Sequence, residues 1–199
     1  SNQMLGLLAI FLIVVFQPEL RQAMIRLGQT RFFGRRSPQV NKLADAVTEA
    51  VEFLAKNQFG ALIVIERGVR LGGLVEGGVQ VDGLVTPRLL QSIFWPNSPL
   101  HNLAVVIRGD RIVASNVQLP LAETGAVAMQ LGSRHRAAVG VTVESDALVV
   151  VVSEETGMTR LAEFGSLSKP IPLEEFKAKL LERLHAPLQT EEPLGEVEA

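Results

Sequence analysis

The residues best equipped for chemistry lie in Leu131-Gly132-Ser133-Arg134-His135-Arg136-Ala137-Ala138-Val139-Gly140. Two arginines flank a histidine in a run of small and apolar residues. Gly132 and Ser133 come just before them, and Ala137 to Val139 continue as a predicted short helix. A small residue, a hydroxyl and a helix start together offer backbone N–H groups and the positive end of a dipole to an anion. The arginines add fork-shaped donors that match phosphate. A solvated basic turn accounts for the same residues equally well.

Two other stretches bear on that choice. Upstream lies Pro96-Asn97-Ser98-Pro99-Leu100-His101-Asn102-Leu103-Ala104-Val105-Val106-Ile107, and downstream lies Val151-Val152-Ser153-Glu154-Glu155-Thr156-Gly157. In this order and spacing the three stretches resemble the catalytic domain of diadenylate cyclases, which join two ATP molecules into cyclic di-AMP. That family carries an Asp-Gly-Ala motif, then Arg-His-Arg, then Ser-Glu-Glu-Thr-Gly. The resemblance covers residues 38 to 180. It extends upstream to Phe16-Gln17-Pro18-Glu19-Leu20-Arg21, which is similar to the linker of the membrane-anchored branch.

The resemblance implies a division of labour. Ser133, Arg134 and His135 match positions that contact phosphate. Arg136 closes the motif, either on the nucleotide or holding the loop by an ion pair. Leu119 matches a position lining the adenine pocket, although an apolar residue there is equally a core residue. His101 and Glu155 match the metal site, for Mn²⁺ or Mg²⁺. Glu154 reads as an exposed hairpin carboxylate. Two ATPs must lie head to tail, each offering a 3′-hydroxyl to the other, so a homodimer with two domains face to face is expected.

The chain departs from the family at the first motif. Where the family has Asp-Gly-Ala, this sequence has Asn102-Leu103-Ala104. An amide carries no charge and takes up no proton at pH 7. Leucine adds bulk where glycine lets the backbone approach a nucleotide. Only Ala104 is retained. The expected function is therefore a diadenylate cyclase with activity reduced or abolished by Asn102 and Leu103. The alternative is an inactive ATP- or cyclic di-AMP-binding module.

These motifs need a scaffold, and the periodicity supplies an α/β domain with a mixed central sheet flanked by helices. From Pro38 to Gln58 the residues Val40, Leu43, Ala44, Val47, Ala50, Val51 and Leu54 form one helical stripe. Gly60 to Glu66 and Ala147 to Ser153 are short apolar runs suited to strands buried on both faces. Thr86-Pro87 starts a helix to about Phe94. The loop Trp95 to Pro99 presents His101. Leu103 to Ile107 and Arg111 to Val117 flank Arg108-Gly109-Asp110 as a hairpin. A helix is expected around Glu123 to Leu131, a strand over Met158 to Phe164, and a last helix over Pro172 to His185. Residues 67 to 85 are glycine-rich but hold neither GxxxxGK[ST] nor GxGxxG, so they read as turns between short strands.

Length, charge and the chain ends complete the reading. A chain of 199 residues fits one domain with appendages. The net charge of −2 gives no basic field for nucleic acid. The absence of cysteine excludes disulfides and thiolate chemistry. Residues 4 to 16 form a thirteen-residue apolar run, shorter than the ~20 residues a bilayer crossing needs. With Ser1-Asn2-Gln3 as a cloning remnant, 1–16 reads as the remainder of a transmembrane helix; an ordinary buried helix is the alternative. Residues 17–37 read as a juxtamembrane helix and linker. Its arginines face only Glu19, which suits the cytoplasmic side of a cell membrane. The catalytic domain is expected over 38–185, and the lysine- and arginine-free stretch 186–199 as a disordered acidic tail.

Overall fold

The computed structural model describes residues 38–122 and 132–185. The expected membrane-helix remainder, the juxtamembrane helix, the helix over Glu123 to Leu131 and the acidic tail lie outside them. Among the described residues no helix is long and apolar enough to cross a membrane.

Helix α1 (Pro38–Lys56) buries all seven residues of the predicted stripe, together with Thr48 and Ala55. Strand β1 (Ala61–Ile65) follows, then a short helix α2 (Gly72–Glu76), strand β2 (Val79–Leu84) and helix α3 (Pro87–Ile93). Thr86 caps α3 as read from the sequence: its Oγ1 accepts from the Leu89 N–H at 3.2 Å, and Pro87 sits in the first turn. The hairpin is β3 (Ala104–Arg108) and β4 (Arg111–Val117), with Gly109 at φ +63° in its turn. Helix α4 (Ser133–Glu144), strands β5 (Leu148–Val152), β6 (Thr159–Glu163) and β7 (Ser166–Leu167), and helix α5 (Leu173–His185) complete the domain.

The strands form one sheet in the order β2-β4-β3-β1-β5-β6-β7. Only β1 and β3 run parallel, so the sheet is mixed. Every residue of β1 and β5 is buried. Alternation along β1 sends Ile63 and Ile65 to a core shared with α1, α3 and α5. Leu62 and Val64 go to a second core with α2 and α4. The result is a sheet between two helical layers.

Three local features differ from the sequence reading. The glycine-rich stretch contains one turn of helix, α2, and an edge strand whose register shifts between Gln80 and Gly83. No apolar period marks either. Strand β7 is two residues long, too short to leave a pattern. Helix α4 is the largest change: it begins at Ser133 and runs for 12 residues, so the whole Arg-His-Arg motif is helical. Its valines, threonine and Gly140 are weak helix formers, and tertiary packing overrides them. A Cβ on Gly140 would stand 2.0 Å from the Pro120 carbonyl oxygen. Glycine therefore lets the helix lie directly on the 120–122 backbone, where the Ala122 N–H donates to the Arg136 carbonyl at 3.0 Å.

Candidate active site at one end of the sheet

The strand directions gather the three motifs at one end of the sheet. Ile63 pairs with Val105 in the parallel ladder, and Ala61 pairs with Val152 in the antiparallel one. Followed outward, these registers set Gly60 level with Asn102 on one side and Ser153 on the other. Neighbouring strands are about 4.8 Å apart, so the Asn102 and Glu154 segments flank Gly60 as close neighbours. Helix α4 brings its start to the same end. The start of α4 and the 153–157 turn enclose an open cavity of about 190 Å³ lined by Ser133, Arg134, His135, Glu155 and Arg160.

Each predicted phosphate ligand has a defined setting. Ser133 and Arg134 open α4, and the Gly132 cap makes no side-chain hydrogen bond to the first turn. The hydroxyl and the helix dipole face the cavity region together. Arg134 donates from Nη1 to the Glu154 carboxylate. Glu154 is exposed, as expected, but it is also the carboxylate that orients Arg134. Among the described residues the ion pair of this motif belongs to Arg134 and not to Arg136. Arg136 does not line the cavity, and its buried Nε has no partner there. Burial, followed by the charge of Arg160 and then of Arg134, lowers the His135 pKa, against an opposing pull from Glu155. The ring is neutral at pH 7 and carries one N–H donor and one acceptor.

The turn that follows β5 is closely fitted. Gly157 has φ +70°, and a Cβ there would lie 2.4 Å from the Ala55 carbonyl oxygen at the end of α1. The Gly157 N–H donates to the Ser153 carbonyl at 2.9 Å. Glu155 is thereby held exposed on the cavity rim.

The first motif stands beside this cavity and does not line it. His101 donates from Nδ1 to the Ser98 carbonyl at 2.5 Å, since a carbonyl oxygen only accepts. That bond fixes the tautomer and leaves Nε2 with a free lone pair. Asn102 is exposed, Leu103 is exposed, and Ala104 is buried at the start of β3. Neither Asn102 nor Leu103 has a positive φ, so leucine sits there without backbone strain. Leu119 is buried in the second core, packed as a core residue. Among the described residues no three potential metal ligands cluster within one chain.

Two residues of the site escaped the sequence reading. Arg160 comes from β6, where strict alternation after the turn puts it on the α4 side with Ala162; that alternation was the available signal. Gly60 carried no signal, because its part is to leave room. A Cβ on Gly60 would lie 2.7 Å from Arg134 Nη1 and 3.0 Å from the Glu154 Cβ.

The chain is similar to several known proteins. The chain is 42% identical over 179 residues to the cyclic di-AMP synthase CdaA of Bacillus subtilis, covering 88% of this chain and 65% of that protein. It is 37% identical over 190 residues to a diadenylate cyclase of Listeria monocytogenes, covering 92% and 69%. The chain thus spans about two thirds of the length of these relatives. Among solved structures, a double mutant of DacA from Staphylococcus aureus superposes with a TM-score of 0.71 at 40% identity, covering 75% of this chain and all of that one. A Bacillus cereus protein described as membrane spanning gives 0.63 at 30%, covering 86% and 88%. Residues 48–167 match the model of the DAC family, described as DisA bacterial checkpoint controller nucleotide-binding. With that match spanning more than half of its residues, the chain belongs to the DAC family.

Proposed function

We propose that the chain is the catalytic unit of a diadenylate cyclase that condenses two ATP molecules into cyclic di-AMP and releases two pyrophosphates. The observation that carries this reading is the gathering of His101–Ala104, Ser133–His135 and Glu155 at one end of the sheet. In each half-reaction a 3′-hydroxyl oxygen forms a bond to the α-phosphorus of the other ATP. The bond from that phosphorus to the bridging oxygen breaks, and the hydroxyl proton passes to a base or to water. Ser133, Arg134 and the neutral His135 neutralise and orient phosphate. Leu119 is assigned to the adenine side. The cavity of about 190 Å³ is smaller than the roughly 300 Å³ at which pockets begin to enclose ligands of this size. A second copy, face to face, supplies the remaining wall and the second nucleotide.

A divalent cation, Mn²⁺ or Mg²⁺, supplies Lewis-acid charge to the phosphates when bound. The donor chemistry fits: His101 offers a free Nε2 and Glu155 an exposed carboxylate. The N-terminal apolar segment is assigned to membrane attachment, with the domain on the cytoplasmic side. This is supported by the arginines that follow it and by the likeness to a membrane-spanning protein.

The neutral Asn102 favours one other reading, a module that binds ATP or cyclic di-AMP without turnover. Chromatography of the chain incubated with ATP and Mn²⁺ separates the two. The cyclase reading expects cyclic di-AMP, at a rate per protomer that rises with protein concentration. Bound ATP with no product supports the module, and no ATP binding overturns both.

The pairing of Gly60 with Arg134 gives a sharper expectation. Gly60→Ala forces the Arg134 guanidinium away from the strand and from Glu154. A flexible side-chain end can yield, so the fold is retained and the melting temperature changes little. ATP affinity is expected to fall by about tenfold, the worth of one charge-assisted hydrogen bond. Calorimetric titration measures it, and unchanged affinity would show that Arg134 binds phosphate from its displaced position.

A further inference from the structure

The cavity contains a guanidinium that lies outside the three motifs and has no part in the proposed function. Arg160 lines the cavity from β6, together with Ser133, Arg134 and His135 from the α4 start. Among the described residues its only polar contact is Nη1 to the Ser168 carbonyl at 3.0 Å. A guanidinium has five N–H donors, so most of those on Arg160 are unspent. No carboxylate among the described residues pairs with it, whereas the Nη1 of Arg134 is committed to Glu154. The carbonyl contact fixes one edge of the fork and leaves the other for a ligand.

Two arginines lining one cavity and a helix start carry more positive charge than one phosphate group requires. A chain of phosphates can engage cationic groups that come from two different elements. We propose that Arg160 is a binding residue for the polyphosphate part of the substrate, taking the phosphates beyond the first while Ser133–His135 hold the first. The identity of that substrate as ATP rests on the cyclase reading. The feature of Arg160 itself, a guanidinium without a carboxylate partner among the described residues that shares the cavity with the α4 start, does not.

The test compares the full chain with Arg160→Gln and Arg160→Lys, titrated with AMP, ADP, ATP and inorganic tripolyphosphate. Arg160→Gln is expected to weaken ATP and tripolyphosphate by about 10- to 100-fold and to leave AMP within about twofold. Arg160→Lys is expected to recover part of the loss, because lysine keeps the charge but not the fork. Loss of equal size for AMP and ATP, together with a lower melting temperature, would reduce Arg160 to a strut for the Ser168 carbonyl and overturn the proposal. Tripolyphosphate separates the two levels of the argument. If the chain binds tripolyphosphate in an Arg160-dependent way but does not bind ATP, the cyclase reading fails and Arg160 stands. If it binds both with Arg160→Gln unchanged, the proposal fails and the cyclase reading stands.

Discussion

Asn102→Asp combined with Leu103→Gly is expected to raise the rate of cyclic di-AMP formation by about 10²- to 10⁴-fold, the usual worth of a positioned proton-transfer group. Asn102 is exposed at the start of β3, level with Gly60 and one strand further from Ser153. A carboxylate there would add a negative charge and a proton acceptor beside the cavity, where the amide offers only a neutral oxygen. The two substitutions act differently. Asn102→Asp supplies the charge. Leu103→Gly removes an exposed side chain from the approach to the strand, and since Leu103 has no left-handed backbone, it relieves no strain. Most of the gain is therefore expected in Asn102→Asp alone, with Leu103→Gly contributing mainly to nucleotide affinity. Initial rates by chromatography, with ATP binding measured in parallel, separate these contributions. Equal rates in the two proteins would show that no carboxylate at position 102 is required. Absence of product in both, with ATP still bound, would leave the binding module as the function.

The scaffold was more legible in the sequence than the contacts of the site. The α1 stripe, the strands β1 and β5 and the Thr86 cap follow from period and local chemistry, which act over a few residues. The length of α4 did not, because it depends on Gly140 lying against Pro120. No local rule contains that contact. The motif residues gather at one end of the sheet, and Leu119, two residues past the point where Val117 pairs with Ala104, lies at that end too, packed in the second core. The Arg134–Glu154 pair, the space beside Gly60 and the unpaired Arg160 are products of register. They join residues 20 or more apart, and a one-residue slip in any ladder would separate them.

The same register built a second polar centre, far from the chemistry, where the largest stability effect is expected. Arg67 follows β1 at the end opposite Gly60, and its side chain is 3% exposed. Its Nε donates to the Asp146 carbonyl at 2.5 Å, Nη1 to the Arg183 carbonyl at 3.3 Å, and Nη2 to Glu163 at 3.2 Å. The guanidinium also lies 5.5 Å from the centre of the Phe164 ring. The Asp146 carboxylate accepts from the N–H groups of Gly68 and Val69, so one arginine ties β1, the turn before β5, β6 and the end of α5. Arg67→Met keeps the length of the chain but strands two carbonyls and removes a buried cation from the half-buried Glu163 carboxylate. Breaking a buried pair in this way costs about 3–5 kcal/mol, which corresponds to a fall of roughly 10–15 °C in melting temperature for a domain of this size. Glu163 retains Arg183 as a partner, and that places the expected cost at the lower end of the range. Arg67→Lys restores the charge without the fork and is expected to fall between the two. Seven residue steps along and beyond β1 set Arg67 about 20 Å from Gly60, so ATP affinity measured well below the melting transition is expected to be unchanged. A fall of less than about 1 kcal/mol in denaturant unfolding would show that Arg183 alone closes this end of the domain. Loss of affinity at low temperature would show that the two ends of the strand are coupled.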